Sequence, residues 1–428
     1  MISWDVISYY AYLPATFIYK DYTLKFIDGY KGPHKFTIWS ENVPNGNKII
    51  ITSMGMSILY APFFFLGHIY ALHSSYDAGG YSLPYRFALM MSSVFYLLIG
   101  LIFLSKLLLK YFNQYISSIV ILFTVLGSNL FYYVTYCSPY SHTYSFALII
   151  MFIWYTIKWY EEYKIKYVVF LGLLFGIISL VRPTNILIGI FFILWDIKSF
   201  TDIKARIRTF YKYKIHLFVI VLLSFLVWLP QLLYWKTLTG QWLYYSYGEA
   251  NKFFFNHPMI IKGIFGYRHG WLLYSPVMLL SVLGFFVLWK EERQFAVSSV
   301  LFFLVFIYVI FSWWCWWYGG AFGLRAMIDI YGITAISMAA FIRYVSRSAM
   351  ILKSVFWILT LVLFWAGIHN TDKYRHFSFH WDANTKESFW DHYLMVRPTP
   401  TQAAKYRDPD YMLARKGIDA YAKPSDAK

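Results

Sequence analysis

Long apolar runs separated by short polar segments dominate the chain from residue 84 to residue 369. A helix needs about 20 apolar residues to cross a hydrocarbon core of about 30 Å. On that measure spans are predicted at 84–106, 115–132, 143–158, 167–181, 183–196, 216–235, 272–289, 295–312, 328–343 and 353–369. The pair 167–181 and 183–196 has only about 15 residues in each member, short for a full crossing. It reads as a hairpin that penetrates part of the bilayer. The alternating segments of about ten residues that mark a membrane β-barrel are missing. The expected fold class is therefore all-α, a polytopic transmembrane helical protein, divided into 1–83, a spanning region 84–369 and a tail 370–428.

Composition strengthens this reading. Of 428 residues, 59% are apolar, 23% aromatic and 14% charged, more apolar surface than a soluble domain of that size buries. The net charge of +17 does not point to nucleic acid, because the basic residues sit between apolar runs rather than along one face. Lys106 and Lys110 form one cluster, and Lys158, Lys164 and Lys166 the next. "DIKSFTDIKARIRTFYKYK" adds six, Lys290 and Arg293 follow, and Arg343, Arg347 and Lys353 close the set. Alternate loops thus hold 16 of the 38 Lys and Arg residues, which assigns them to the cytoplasmic side. The intervening loops, rich in Tyr, Trp, Gly and His, are expected outside. So is the tail, whose ten basic and eight acidic residues suit either a small folded cap or partial disorder. Residues 51–72 fit both a further span and an interfacial helix bent at Pro62, and charge counting does not decide between them.

Charged groups near a bilayer are costly and usually have a reason to be there. Arg182 in "LVRPTN" is read either as an arginine snorkelling from a helix end or, with Asn185 and a helix start at Pro183, as an anion site. Glu249 is the one carboxylate in the loop 236–271, which also holds Tyr247, Lys252, His257, Lys262, Arg268 and His269. The plainer reading is a solvated loop, but its aromatic density suits a wall for an apolar substrate. Arg325 follows four tryptophans and three glycines, and is either an interfacial anchor or a ligand contact. His142 in "SPYSHTYSF" is more often a structural histidine than a catalyst. The two cysteines, Cys137 and Cys315, have no metal-type spacing. The nucleotide-binding, zinc-protease and serine-triad patterns are not found, so no metal ligands are assigned.

Taken in order, "WDVISYYAYLPATFIYKDYTL", "GMSILYAPFFFLGHIYAL", "YSLPYRFALMMSSVFYLLIGLIFL", "LVRPTN", "YSYGEANKFFFNHP", "FGYRHGWLLYSP" and "WWYGGAFGLR" resemble the glycosyltransferase C superfamily. The similarity is to members related to protein mannosyltransferases and lipid A aminoarabinose transferases, over about residues 3 to 330. It implies interfacial helices in a first external loop, with 51–72 among them, and a further helix preceding Met1. It also implies transfer of a sugar from a polyprenyl-phosphate carrier to a lipid, glycan or protein acceptor on the outer face of the cytoplasmic membrane. By position Asp5 matches the family's acidic residue, the general base. Arg182, Asn185, Arg268 and Arg325 become candidate phosphate and donor ligands, and His142, Tyr247, Glu249 and His269 line the substrate loops. Asp5 is followed by Val6, not by a second acid, and Asp21 is read as a helix-capping residue. A bridged metal is thereby weakened, although a divalent cation stays open as cofactor. The competing readings are a transporter or flippase of a lipid-linked sugar, and a noncatalytic envelope-assembly subunit.

Overall fold

The computed structural model describes residues 2–29, 38–248 and 250–421. In chain order the helices are α1 (Asp5–Phe17), α2 (Phe26–Gly29), α3 (Gly55–Leu72), α4 (Leu83–Tyr111), α5 (Gln114–Leu126), α6 (Leu130–Thr135), α7 (Ser141–Glu162), α8 (Ile165–Val181), α9 (Gly189–Leu194), α10 (Phe200–Lys212) and α11 (Lys214–Thr239). They continue with α12 (Ile260–Phe265), α13 (Trp271–Tyr274), α14 (Leu279–Glu291), α15 (Arg293–Phe311), α16 (Tyr331–Ser346), α17 (Met350–Arg375), α18 (Lys386–Trp390), α19 (Pro400–Ala403) and α20 (Tyr411–Arg415). Strands β1 (Ser40–Asn42) and β2 (Lys48–Ile50) form one antiparallel hairpin. With 68% of residues helical, the chain is an all-α protein.

Among the described residues six helical segments are long and apolar enough to cross a membrane: Gly55–Leu72, Leu83–Tyr111, Lys214–Thr239, Arg293–Phe311, Arg325–Ser346 and Met350–Arg375. The molecule is accordingly a multi-pass membrane protein. Several of the ten expected spans are broken. Residues 115–132 divide at Gly127 into α5 and α6, and 272–289 becomes α13, a 3₁₀ turn Pro276–Met278 and α14. Residues 183–196 become a 3₁₀ helix, Pro183–Ile188, followed by α9. Pro276 explains the break in 272–289, because proline removes a backbone donor and clashes with the preceding turn, and Pro183 likewise ends α8 at Val181.

The contacts divide the chain into two compact units, each discontinuous in sequence: residues 1–100, 137–188 and 204–249, and residues 101–136, 189–203 and 250–428. In the first unit α8 is sandwiched by α7 and α11, and α1 packs on α3. Buried Tyr10, Tyr60, Phe64, Tyr85 and Tyr144 build an aromatic core. The loop "VPNGN" turns with Gly46 at φ 85°, a left-handed conformation that costs glycine little. Its Asn45 and Asn47 side chains donate to the Leu238 carbonyl at 2.6 and 3.0 Å, tying the hairpin to the end of α11. Asp21 accepts from the Thr23 hydroxyl and from the Thr23 and Phe26 N–H groups, the latter two at 2.9 Å, and so opens α2 as the capping reading expects.

In the second unit α14 packs along α16, with α5 on α16 and α9 on α15. Of the expected pair 167–181 and 183–196, α8 packs on α7, α11 and the 3₁₀ helix Pro183–Ile188 within the first unit, and α9 on α15 within the second. Residues 376–421 form a folded cap of short helices with Phe379, Phe389, Ala414 and Ala420 buried. Trp316 and Trp317 join Ala414 and Ala420 in one apolar cluster.

Candidate functional site

In the first unit, α1 begins at Asp5, so its carboxylate lies in the first turn, where the helix dipole favours negative charge. That alone would make Asp5 a helix-end residue. Its surroundings make it more. The helix behind it is pinned: Tyr10 Oη donates to the Gly80 carbonyl at 2.5 Å, Tyr12 Oη to the Thr52 carbonyl at 2.7 Å, and Ser57 of α3 to the Tyr9 carbonyl. Asp5 itself is half-buried, and its charge reaches two hydroxyls, those of Tyr60 and Tyr247.

Arg182 closes α8 in an extended conformation. Its Nη1 lies 3.3 Å from Nε2 and 3.4 Å from Nδ1 of His142, against the ring of a fully buried histidine in the first turn of α7. Tyr247 is the common neighbour of Asp5 and Arg182. Burial pushes its hydroxyl up, Tyr9 and Asp5 push it further, and Arg182 works the other way. A carboxylate and a guanidinium thus act in opposite senses on one tyrosine hydroxyl, with Tyr9, Tyr60 and Tyr140 in the same neighbourhood. Opposed charges of this kind can take up a proton on one side and hold an anion on the other.

Asn185 is buried, and its Nδ2 donates to Ser145 Oγ of α7 at 3.2 Å, which holds the "RPTN" segment against α7. The expected α-helix start at Pro183 is a six-residue 3₁₀ helix whose Asn185 N–H already donates to the Arg182 carbonyl at 2.8 Å. Of the N–H groups expected to be free at this helix start, that of Asn185 is therefore engaged within the turn.

Arg268, His269 and Arg325 belong to the second unit. Arg268 is buried, donates to the Arg407 carbonyl and lies over the Tyr421 ring. Burial pushes its guanidinium down to about 9, which leaves it charged at neutral pH. It is turned into the cap rather than presented to a phosphate. His269 is 0% exposed, with Nε2 3.9 Å from Asp382 Oδ1. Burial pushes it down, against the hydrogen bond and attraction of Asp382. Asp382 accepts from Trp317 Nε1 at 2.7 Å and from the Tyr411 hydroxyl. Against burial, the His269 ring first and then the Tyr411 and Trp317 donors hold its carboxyl below the usual range. Asp382 is thus the knot between the tryptophan loop and the cap. Arg325 is half-buried, opens a 3₁₀ helix, Arg325–Ile330, and acts electrostatically on His269 and Cys315.

The second unit also has a cleft of about 250 Å³ lined by Tyr132, Tyr136, Tyr374, Arg375, Phe377, Phe379 and Trp381. Glu249 lies outside the described residues. Among the described residues no group of three or more His, Cys, Asp or Glu gathers to hold a metal ion. Tyr9, Tyr60 and Ser145 were not singled out from sequence, where one tyrosine among 40 carries no distinguishing signal. Compared with family models, with curated proteins and with solved structures, the chain matches none.

Proposed function

We propose that the chain is a membrane glycosyltransferase that moves a sugar from a polyprenyl-phosphate carrier to an acceptor hydroxyl on the outer face of the cytoplasmic membrane. The observation that carries the reading is that Asp5, in the first turn of α1, and Arg182, held against the buried His142 ring at 3.3 Å, both act electrostatically on the Tyr247 hydroxyl. In the proposed reaction the acceptor oxygen attacks the anomeric carbon and its proton passes to the Asp5 carboxylate. The bond from that carbon to the phosphate oxygen breaks, and polyprenyl phosphate leaves with its charge held by Arg182. A single displacement of this kind inverts the anomeric centre. Aromatic side chains suit both a prenyl chain and the faces of a sugar ring. No step is routed through a metal ion.

The test uses membrane vesicles given radiolabelled polyprenyl-phosphate sugar. Wild-type protein transfers label to an acceptor, and Asp5→Asn abolishes transfer while carrier binding persists. An active Asp5→Asn variant sinks the assignment of the base. Movement of the lipid across the bilayer without transfer identifies a flippase instead, and neither movement nor transfer an assembly subunit.

A further inference from the structure

Helix α10, "FTDIKARIRTFYK", has no buried residue. At 3.6 residues per turn, Phe200, Ile203, Ile207 and Tyr211 fall on one stripe, and Phe200, Ile207 and Tyr211 are 91, 63 and 75% exposed. A contiguous apolar stripe left open to solvent marks an interaction surface. Lys204, Arg208 and Lys212 recur every four residues and form a cationic row along one flank of it. The opposite flank is anchored to the first unit: the Arg206 guanidinium lies 4.0 Å from the centroid of the Tyr160 ring on α7. That anchor leaves the apolar stripe and the cationic row outward.

Two features identify the occupant. The cationic row calls for an anionic surface rather than an uncharged groove. Helix α10 ends at Lys212 and α11, one of the six membrane-crossing helices, begins at Lys214, so the end of α10 is held where a span enters the bilayer. An amphipathic helix with a basic flank at that depth lies in the interface, its apolar face among the acyl chains and its cations among phosphates. We propose that α10 is a docking helix for a bilayer surface containing anionic phospholipid. The site does not depend on the transferase reading, because it uses none of the residues proposed for the reaction.

The experiment uses the full chain with Cys137→Ser, leaving Cys315 buried, and an environment-sensitive fluorophore on Ile207→Cys or, separately, Tyr211→Cys. The labelled protein is reconstituted in phosphatidylcholine alone or mixed with phosphatidylglycerol, each with and without brominated acyl chains. In the anionic bilayer the probe's emission shifts to the blue and the brominated chains quench it. Lys204→Gln with Arg208→Gln and Lys212→Gln lowers the docked-to-undocked ratio by about fivefold per charge, about a hundredfold in all, and high salt acts in the same direction. Equal quenching in the two lipid compositions overturns the proposal. So does a probe that stays water-exposed in both, and so does a blue shift without quenching, which would mean that protein covers the stripe.

Discussion

Gly172 and Gly176 give α8 a groove into which α11 fits. A Cβ at Gly176 would fall 2.8 Å from Val227 Cβ and 2.9 Å from Ser224 Cα. One at Gly172 would fall 2.8 Å from Leu223 Cβ and 3.1 Å from Ile220 Cα. Ordinary contacts of this kind lie at 3.4–4 Å, so the helices must part by about half an ångström even for alanine. Two hydrogen bonds depend on their closeness: Ser224 Oγ to the Gly172 carbonyl and Trp228 Nε1 to Ser179 Oγ, both 2.9 Å. Overpacking costs about 1–3 kcal/mol, and each weakened hydrogen bond in a membrane about 0.6 kcal/mol. Alanine's better helix propensity returns about 1 kcal/mol. Gly176→Ala is therefore expected to destabilise by about 1–3 kcal/mol and Gly176→Leu, with three more carbons to place, by about 3 kcal/mol or more. Because both glycines face the same helix, the double Leu variant should fall short of the sum. The assay is reversible unfolding in mixed micelles followed by tryptophan fluorescence, with exposed Leu173→Phe as a control expected within about 0.5 kcal/mol of wild type. A Gly176→Leu protein that unfolds at the wild-type midpoint refutes the argument that the close approach holds this helix pair.

Asp21 opens α2 through hydrogen bonds that, prevailing over burial, hold its carboxyl below the usual carboxylate range. Its folded value lies below the unfolded one, so its contribution is present above about pH 4 and is lost as pH falls through the folded value. Amide-exchange protection of residues 21–29 should decline over that window, whereas Asp21→Ala should be less protected throughout and show no such decline. Arg343 donates Nε to Glu291 at 2.6 Å and Nη1 to Glu292 at 3.0 Å and to the Tyr111 carbonyl at 3.1 Å. Arg343→Met leaves two largely buried carboxylates with less compensation and should cost about 3–5 kcal/mol. Arg343→Lys should recover only part, since a lysine offers one point charge. A chemical-unfolding midpoint for Arg343→Met within 1 kcal/mol of wild type, an order-of-magnitude threshold, would contradict this account.

Much of the helical framework was legible because apolar length is a one-dimensional property. The runs at 84–106, 216–235, 328–343 and 353–369 each lie within one of the six long apolar segments, and 295–312 overruns Arg293–Phe311 by one residue. Where a run contained a strong local interrupter, length alone misled: Pro276 breaks 272–289 into α and 3₁₀ pieces. The hairpin at 40–50 was missed although "VPNGN" carries an Asn-Gly turn signal, because its strands are only three residues long and lack clear alternation. Gly172 and Gly176 were equally visible as a small-residue repeat of membrane helices, but their partner was not. At the candidate site, Asp5, His142 and Arg182 were visible as polar residues against an apolar background, whereas Tyr247 was one of 40 tyrosines. Arg268 was indistinguishable from Arg182 on those grounds, and only the fold shows that the first lies under Tyr421 and the second against His142.

From the sequence by itself come the membrane class, the helical content and the polar residues that stand out from an apolar background. These follow from composition and from periods of a few residues, which neighbours in the chain decide among themselves. The tertiary structure decides which of those residues act on one another. Tyr247 brings Asp5 and Arg182 into one electrostatic group across nearly 180 residues of chain, and Asp382 gathers Trp317 and Tyr411 into the cap. Such meetings depend on helix packing at close approach, as at Gly172 and Gly176. They bring together residues whose separation along the chain carries no record of their nearness.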